Sequence, residues 1–255
     1  MHSRCPKCGH APLPADQSLP AACPACGVIL AKLGQIPVRH AREDEAQDPV
    51  SGLAEERGRW TSLLLHVPER VDSTAFWLRV VLLAAFALWG GVLIAQDVRT
   101  GELGSSFLHR PLLIFHEAGH VVFAFLGHWM MIAGGTLGQL LMPLVLAGAL
   151  LLKNRDPFGA AIGLWFLGVS LLDVAPYMYD ALQPQLMLLS GTTGEEGGHD
   201  WIFLFSSLGW LAKSQFIGLL THKLGALVVI MSTGWAAWVL RLQHTNLSGV
   251  VLNEE

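Results

Sequence analysis

His116-Glu117-Ala118-Gly119-His120 sets two imidazoles four residues apart. On a helix that spacing puts both rings on one face, as a shared metal requires. This is the HExxH arrangement, in which His116 and His120 bind zinc. Glu117 then serves as the general base that takes a proton from the attacking water and passes it to the leaving amine. A catalytic zinc takes a third protein ligand and keeps one position open. Asp173, Asp180, His199 and Asp200 are the downstream candidates. His199 and Asp200 follow a Gly-rich loop and open a short apolar run, where an Asp also serves as an N-cap. Asp173 and Asp180, seven apart, share a face if the helix continues through Pro176. Pro176 is expected to break or kink that helix and free backbone groups for an extended peptide.

A second constellation lies at the N-terminus. Cys5-Pro-Lys-Cys8 and Cys23-Pro-Ala-Cys26 are two CxxC pairs separated by fourteen residues, each followed by a glycine, Gly9 or Gly27. That spacing is a zinc ribbon's: each pair forms a knuckle, and four thiolates close a tetrahedral site with no position left for water. This zinc is structural. All four cysteines of the chain are used here, and thiolate zinc sites belong to reducing compartments, which places the N-terminus in the cytosol. Residues 1–33 carry only Arg4, Lys7 and Lys32 against Asp16, a poor footprint for nucleic acid, so a protein partner suits the ribbon better.

The elements that must position HEAGH are membrane helices. Charged residues make up 14% of the chain against 52% hydrophobic, and the mean hydropathy is +0.46. Apolar runs of about spanning length occur at Phe76 to Ala95, Phe107 to Leu126, Thr136 to Leu152, Phe158 to Pro176 and Leu224 to Leu240. Trp201 to Ala212 is too short to cross and is expected to be interfacial or re-entrant. Loop charges do not orient the spans, so the ribbon carries that assignment. With the N-terminus inside, five spans put the HEAGH helix running from outside to inside and the site's cavity open to the cytosol. Residues 33–73, with Arg39-His40-Ala41-Arg42-Glu43-Asp44-Glu45 and Glu55-Glu56-Arg57-Gly58-Arg59, read as a charged tether, in which Val50 to Leu65 could hold a short surface helix. His109, His128 and His222 sit at span edges, where a lone His is usually an interfacial polar residue.

The membrane domain resembles the site-2 protease class of intramembrane zinc metalloproteases. HEAGH matches that family's HExxH. Gly135-Thr-Leu-Gly138-Gln139 resembles its GPxxN element, with Gln for Asn and no Pro. Asp173-Val-Ala-Pro176-Tyr-Met-Tyr-Asp180-Ala181 resembles NxxPxxxxDG, with Asp for Asn, Ala for Gly and a spacing one residue shorter. The resemblance covers residues 107–181 and implies that Asp180 is the third zinc ligand; Asp200 or His199, outside the matched stretch, remain the alternatives on their own chemistry. Gln139 and Asp173 become candidate substrate-binding residues.

The expected fold is an all-α polytopic membrane domain, residues 74–255, of about five transmembrane helices plus the short re-entrant helix, behind a zinc ribbon at 1–32. The expected function is hydrolysis of membrane-anchored proteins by a metallopeptidase with one catalytic and one structural zinc, in a bacterial plasma membrane. The alternative is a catalytically degenerate adaptor or metal sensor that recruits partners through the ribbon.

Overall fold

The computed structural model describes residues 2–15, 17, 21–30, 58, 60–68 and 71–251. The chain divides into two compact units, residues 1–55 and 56–255. The charged stretch Arg39 to Glu45 of the expected tether, with Glu55, Glu56, Arg57 and Arg59, lies outside the described residues.

In the first unit the two CxxC segments each turn back on themselves. Gly9 and Gly27, at φ 73° and 69°, take the left-handed conformation that ends each knuckle, and their amides donate to the carbonyls of Cys5 and Cys23. A bridge between Ala22 and Ile29 and a small apolar cluster of Leu13, Val28 and Leu30 around the cysteines complete the unit.

The second unit is helical: α1 Ser73–Ala95, α2 His109–Phe123, α3 His128–Leu152, α4 Pro157–Asp180, α5 Asp200–Ser207 and α6 Ser214–Val251. Asp72 starts α1 by accepting from the Ala75 amide at 2.8 Å. Four helical segments, α1, α3, α4 and Leu211–Leu247, are long and apolar enough to cross a membrane, against the five expected. The run that fails is the one bearing HEAGH. It yields a helix of 15 residues, followed by a 3-10 turn at Ala124–Leu126 and by Gly127 at φ 97°. At 1.5 Å per residue α2 is about 22 Å long, short of the roughly 30 Å hydrocarbon core. Trp201 to Ala212, expected to be too short to cross, yields the eight-residue α5 and a 3-10 turn at Leu211–Lys213.

Arg79 pairs with Asp156 at 3.4 Å, joining the start of α1 to the start of α4. Phe76 meets His244 near the end of α6. The other ends of α1 and α4 are thus at the opposite end of the bundle, where α3 begins. Between α1 and α3, Leu103 and Leu112 descend into the core formed by Leu93, Trp165, Val169, Leu172, Ala226 and Val229. Segment 96–127 enters and leaves at the same end.

Within the four-helix frame α4 is central, with 61% of its apolar window buried against 11% for α1. Glycines let α6 approach it: a Cβ on Gly225 would lie 2.8 Å from the Gly168 carbonyl, and one on Gly218 2.8 Å from the Ala175 carbonyl. The expected break at Pro176 does not occur. The helix runs on to Asp180, with Leu172, Ala175 and Pro176 all buried, so surrounding helices hold the backbone that a lone proline would bend. The described part of the expected tether also belongs to this unit. A helical stretch at 60–64 leads to Leu64, whose carbonyl accepts from Trp235, and Asn246 donates to the Pro68 carbonyl.

Candidate metal centres

The four cysteine sulfurs of the first unit lie within 4.8 Å of one another. Cys5 to Cys26 and Cys8 to Cys23 are each 3.8 Å apart, far beyond the roughly 2.0 Å of a disulfide. Sulfurs at about 2.3 Å from a tetrahedral ion are separated by about 3.8 Å, so the cluster fits a metal. Burial pushes the Cys5 thiol up, but amides of Cys8 and Lys7 donating to the sulfur outweigh it and lower it to about 7. For Cys8 the His10 amide acts downward, yet the Cys26 thiol and burial push it up to about 12. Sulfurs this close oppose each other's ionisation, and a cation among them removes the conflict.

In the second unit α2 and α3 form a tight antiparallel pair. A Cβ on Gly119 would collide with the Gly134 carbonyl, and one on Gly138 would lie 2.6 Å from the Phe115 carbonyl. Close approach brings α3 backbone under the histidine rings: a Cβ on Gly135 would stand 2.6 Å from both His116 Nε2 and His120 Nε2. His120 Nδ1 donates to the Met131 carbonyl at 2.9 Å. His116 Nδ1 donates to Gln139 Oε1 at 3.2 Å. With Nδ1 engaged in this way, both rings turn Nε2 toward the same point.

Asp200 stands at that point. Its Oδ2 is 3.0 Å from His116 Nε2 and 3.3 Å from His120 Nε2, and the three form a group able to hold a metal. Donors at about 2.0 to 2.1 Å from a tetrahedral ion are separated by about 3.3 Å, so this triangle fits one too. Asp180, the favoured third corner from sequence, is turned elsewhere. Its carboxylate accepts from the Gln185 and Leu186 amides at 2.8 and 3.2 Å and faces His199 Nε2 at 3.4 Å. His199, the other alternative, caps α5 by accepting from the Ile202 amide and does not reach the triangle. The N-cap role weighed for Asp200 thus belongs to the residue before it, leaving the aspartate side chain free to point at the histidines.

Gln139 and Asp173, expected as substrate-binding residues, are tied to each other. Gln139 Nε2 donates to Asp173 Oδ2 at 2.8 Å, and Asp173 Oδ1 accepts from His109 Nδ1 at 2.8 Å. The chain His109–Asp173–Gln139–His116 orients the first histidine of the motif. Sequence reasoning left His109 as a lone interfacial residue, although it lies seven positions before His116 and so on the same helical face. Tyr177 was missed as well: its hydroxyl accepts from the Asp200 amide at 2.9 Å. The Met131 carbonyl leaves no mark in side-chain spacing.

The triangle opens onto a cavity of about 570 Å³ whose walls include Glu117, Tyr177 and the stretch Leu186 to Ser190. The Glu117 carboxylate makes no hydrogen bond or ion pair with another described residue. The cavity lies at the end of the bundle opposite the start of α1.

Comparison with protein-family models, curated proteins and solved structures finds no match, so the geometry of these centres stands without a relative beside it.

Proposed function

We propose that the protein is a membrane-embedded zinc metallopeptidase that cuts membrane-anchored proteins. The observation that carries the reading is the His116, His120, Asp200 triangle with Glu117 on the wall of the cavity beside it. Zinc in such a site polarises a carbonyl and makes water a nucleophile near neutral pH. His116 and His120 hold it through Nε2, because Gln139 and the Met131 carbonyl fix the proton on each Nδ1. Asp200 closes the third corner and offsets part of the ion's charge at a depth where an unbalanced charge is costly. Glu117, unpaired and facing the cavity, accepts a proton from water and returns it to the leaving amine.

The cavity walls fit a peptide. Leu113, Val174, Leu186, Met187, Leu188 and Leu189 give an apolar lining around the polar floor. A substrate helix must unwind to enter, since its scissile carbonyl is otherwise hydrogen-bonded within the helix. The four-cysteine cluster takes a second, structural zinc, and the ribbon it closes is suited to bind a protein partner.

The test is Glu117→Gln in purified full-length protein. The variant should keep both metals and lose about 10²–10⁴-fold in hydrolysis of membrane-anchored substrates. If wild type and variant leave a panel of such substrates equally intact while both hold their metals, the adaptor or sensor reading replaces this one.

A further inference from the structure

Asp200 does not belong to the helix pair around the histidines, whose α3 meets α5 beyond it, through Trp129 with Ser207 and His128 with Phe203. It arrives on the far side of a 19-residue excursion, residues 181–199, that leaves α4 at Asp180 and returns at the first turn of α5. A metal ligand delivered by a long connection must be held by something other than the motif. The structure places three contacts there. The Asp180 carboxylate accepts from the Gln185 and Leu186 amides and so pins the start of the excursion. His199, whose side chain is fully buried, pins its end. With His199 Nδ1 accepting from the Ile202 amide, the ring proton lies on Nε2. That atom makes no hydrogen bond of good geometry, and it faces Asp180 Oδ2 at 3.4 Å. Tyr177 lies on the His199 ring at 4.1 Å between centroids and accepts the Asp200 amide with its hydroxyl. Gly194 makes room for the buried ring, since a Cβ there would sit 2.7 Å from His199 Cδ2.

We infer that Asp180 and His199 are positioning residues, a latch that closes the 181–199 excursion and sets Asp200 at the third corner of the metal site. One carboxylate gathers both ends of the excursion, and the residue adjoining the ligand is the one it gathers. Asp180 acts on the metal through this latch, without touching it. The inference rests on the metal reading above and adds to it.

The experiment compares Asp180→Ala, His199→Ala, His199→Gln and Asp200→Asn in detergent-solubilised full-length protein. One arm is zinc affinity by chelator competition, with the ribbon ion as internal reference; the other is limited proteolysis of residues 181–199. Asp180→Ala and His199→Ala should weaken the second ion about 10–100-fold, the usual effect of removing a ligand's supporting partner, and open the excursion to protease. His199→Gln, whose amide donor reaches where Nε2 does, should recover most of both. Asp200→Asn should weaken the ion and leave the excursion closed. The latch is refuted if Asp180→Ala keeps wild-type affinity and protease resistance. It is refuted too if Asp180→Ala loses the ion with the excursion still closed while Asp200→Asn keeps it, the behaviour of a direct ligand. A wild type holding only the ribbon ion would overturn the metal reading. The protease arm would then decide the latch alone, for it if Asp180→Ala and His199→Ala open the excursion and against it if they do not.

Discussion

Replacing Gly135 with alanine tests the metal centre at its tightest point. The added Cβ would lie 2.6 Å from His116 Nε2, His120 Nε2 and His120 Cε1, where ordinary contact begins near 3.4 Å, a shortfall of about 0.8 Å. The rings cannot both retreat by that amount. Gln139 holds one at 3.2 Å and the Met131 carbonyl holds the other at 2.9 Å. Metal–ligand distances tolerate only about 0.2 Å of error, so the expected loss of affinity exceeds the roughly 10–100-fold that follows when a supporting hydrogen bond alone is removed. Strain in the packed α2–α3 pair should add about 1–3 kcal/mol of destabilisation. The assay is metal content per chain by elemental analysis, with the ribbon supplying a constant reference: about two ions should fall to about one. Gly148→Ala is the control on the same helix, since a Cβ there meets nothing within 4 Å and alanine suits a helix interior better than glycine by about 0.5–1 kcal/mol. Full retention of the second ion in Gly135→Ala would show that the histidines do not meet over this backbone.

Two further outcomes follow from the same geometry. Gln139→Ala removes the link between His116 and Asp173 in a fully enclosed position, and should weaken the second ion about 10–100-fold in chelator competition while costing about 1–3 kcal/mol in thermal stability for the polar groups left unpaired. Cys8→Ser should empty the four-cysteine site and, because the apolar cluster around it is small, leave residues 2–30 open to protease with the second unit's ion still in place.

Much of the site was legible in local spacing. The i, i+4 histidines need only helical geometry to share a face, and the two CxxC knuckles need only a turn with a permissive glycine, so both pairings follow from short-range chain stereochemistry. Spanning runs were legible wherever length and hydropathy agreed, as in α1 and α4. They misled at Phe107 to Leu126, where hydropathy counts apolar residues but does not register that the α-helix covers only His109–Phe123 and that Gly127 turns the chain.

The sequence by itself determined the residue types: two imidazoles and a carboxylate on one helical face, four thiols in two knuckles, and enough apolar length for a membrane. Tertiary structure decided which distant carboxylate joins the histidines. Asp180 and Asp200 are equally competent donors, and their difference lies in the direction the chain takes over residues 181–199. That path is set by contacts among Tyr177, Asp180, Gln185, Leu186 and His199. Such contacts join residues from two helices and a loop, and no spacing rule along the chain encodes them. The same holds for α2, which stops at Phe123 inside an apolar run that continues to Leu126, because the end of a helix within such a run depends on what packs around it.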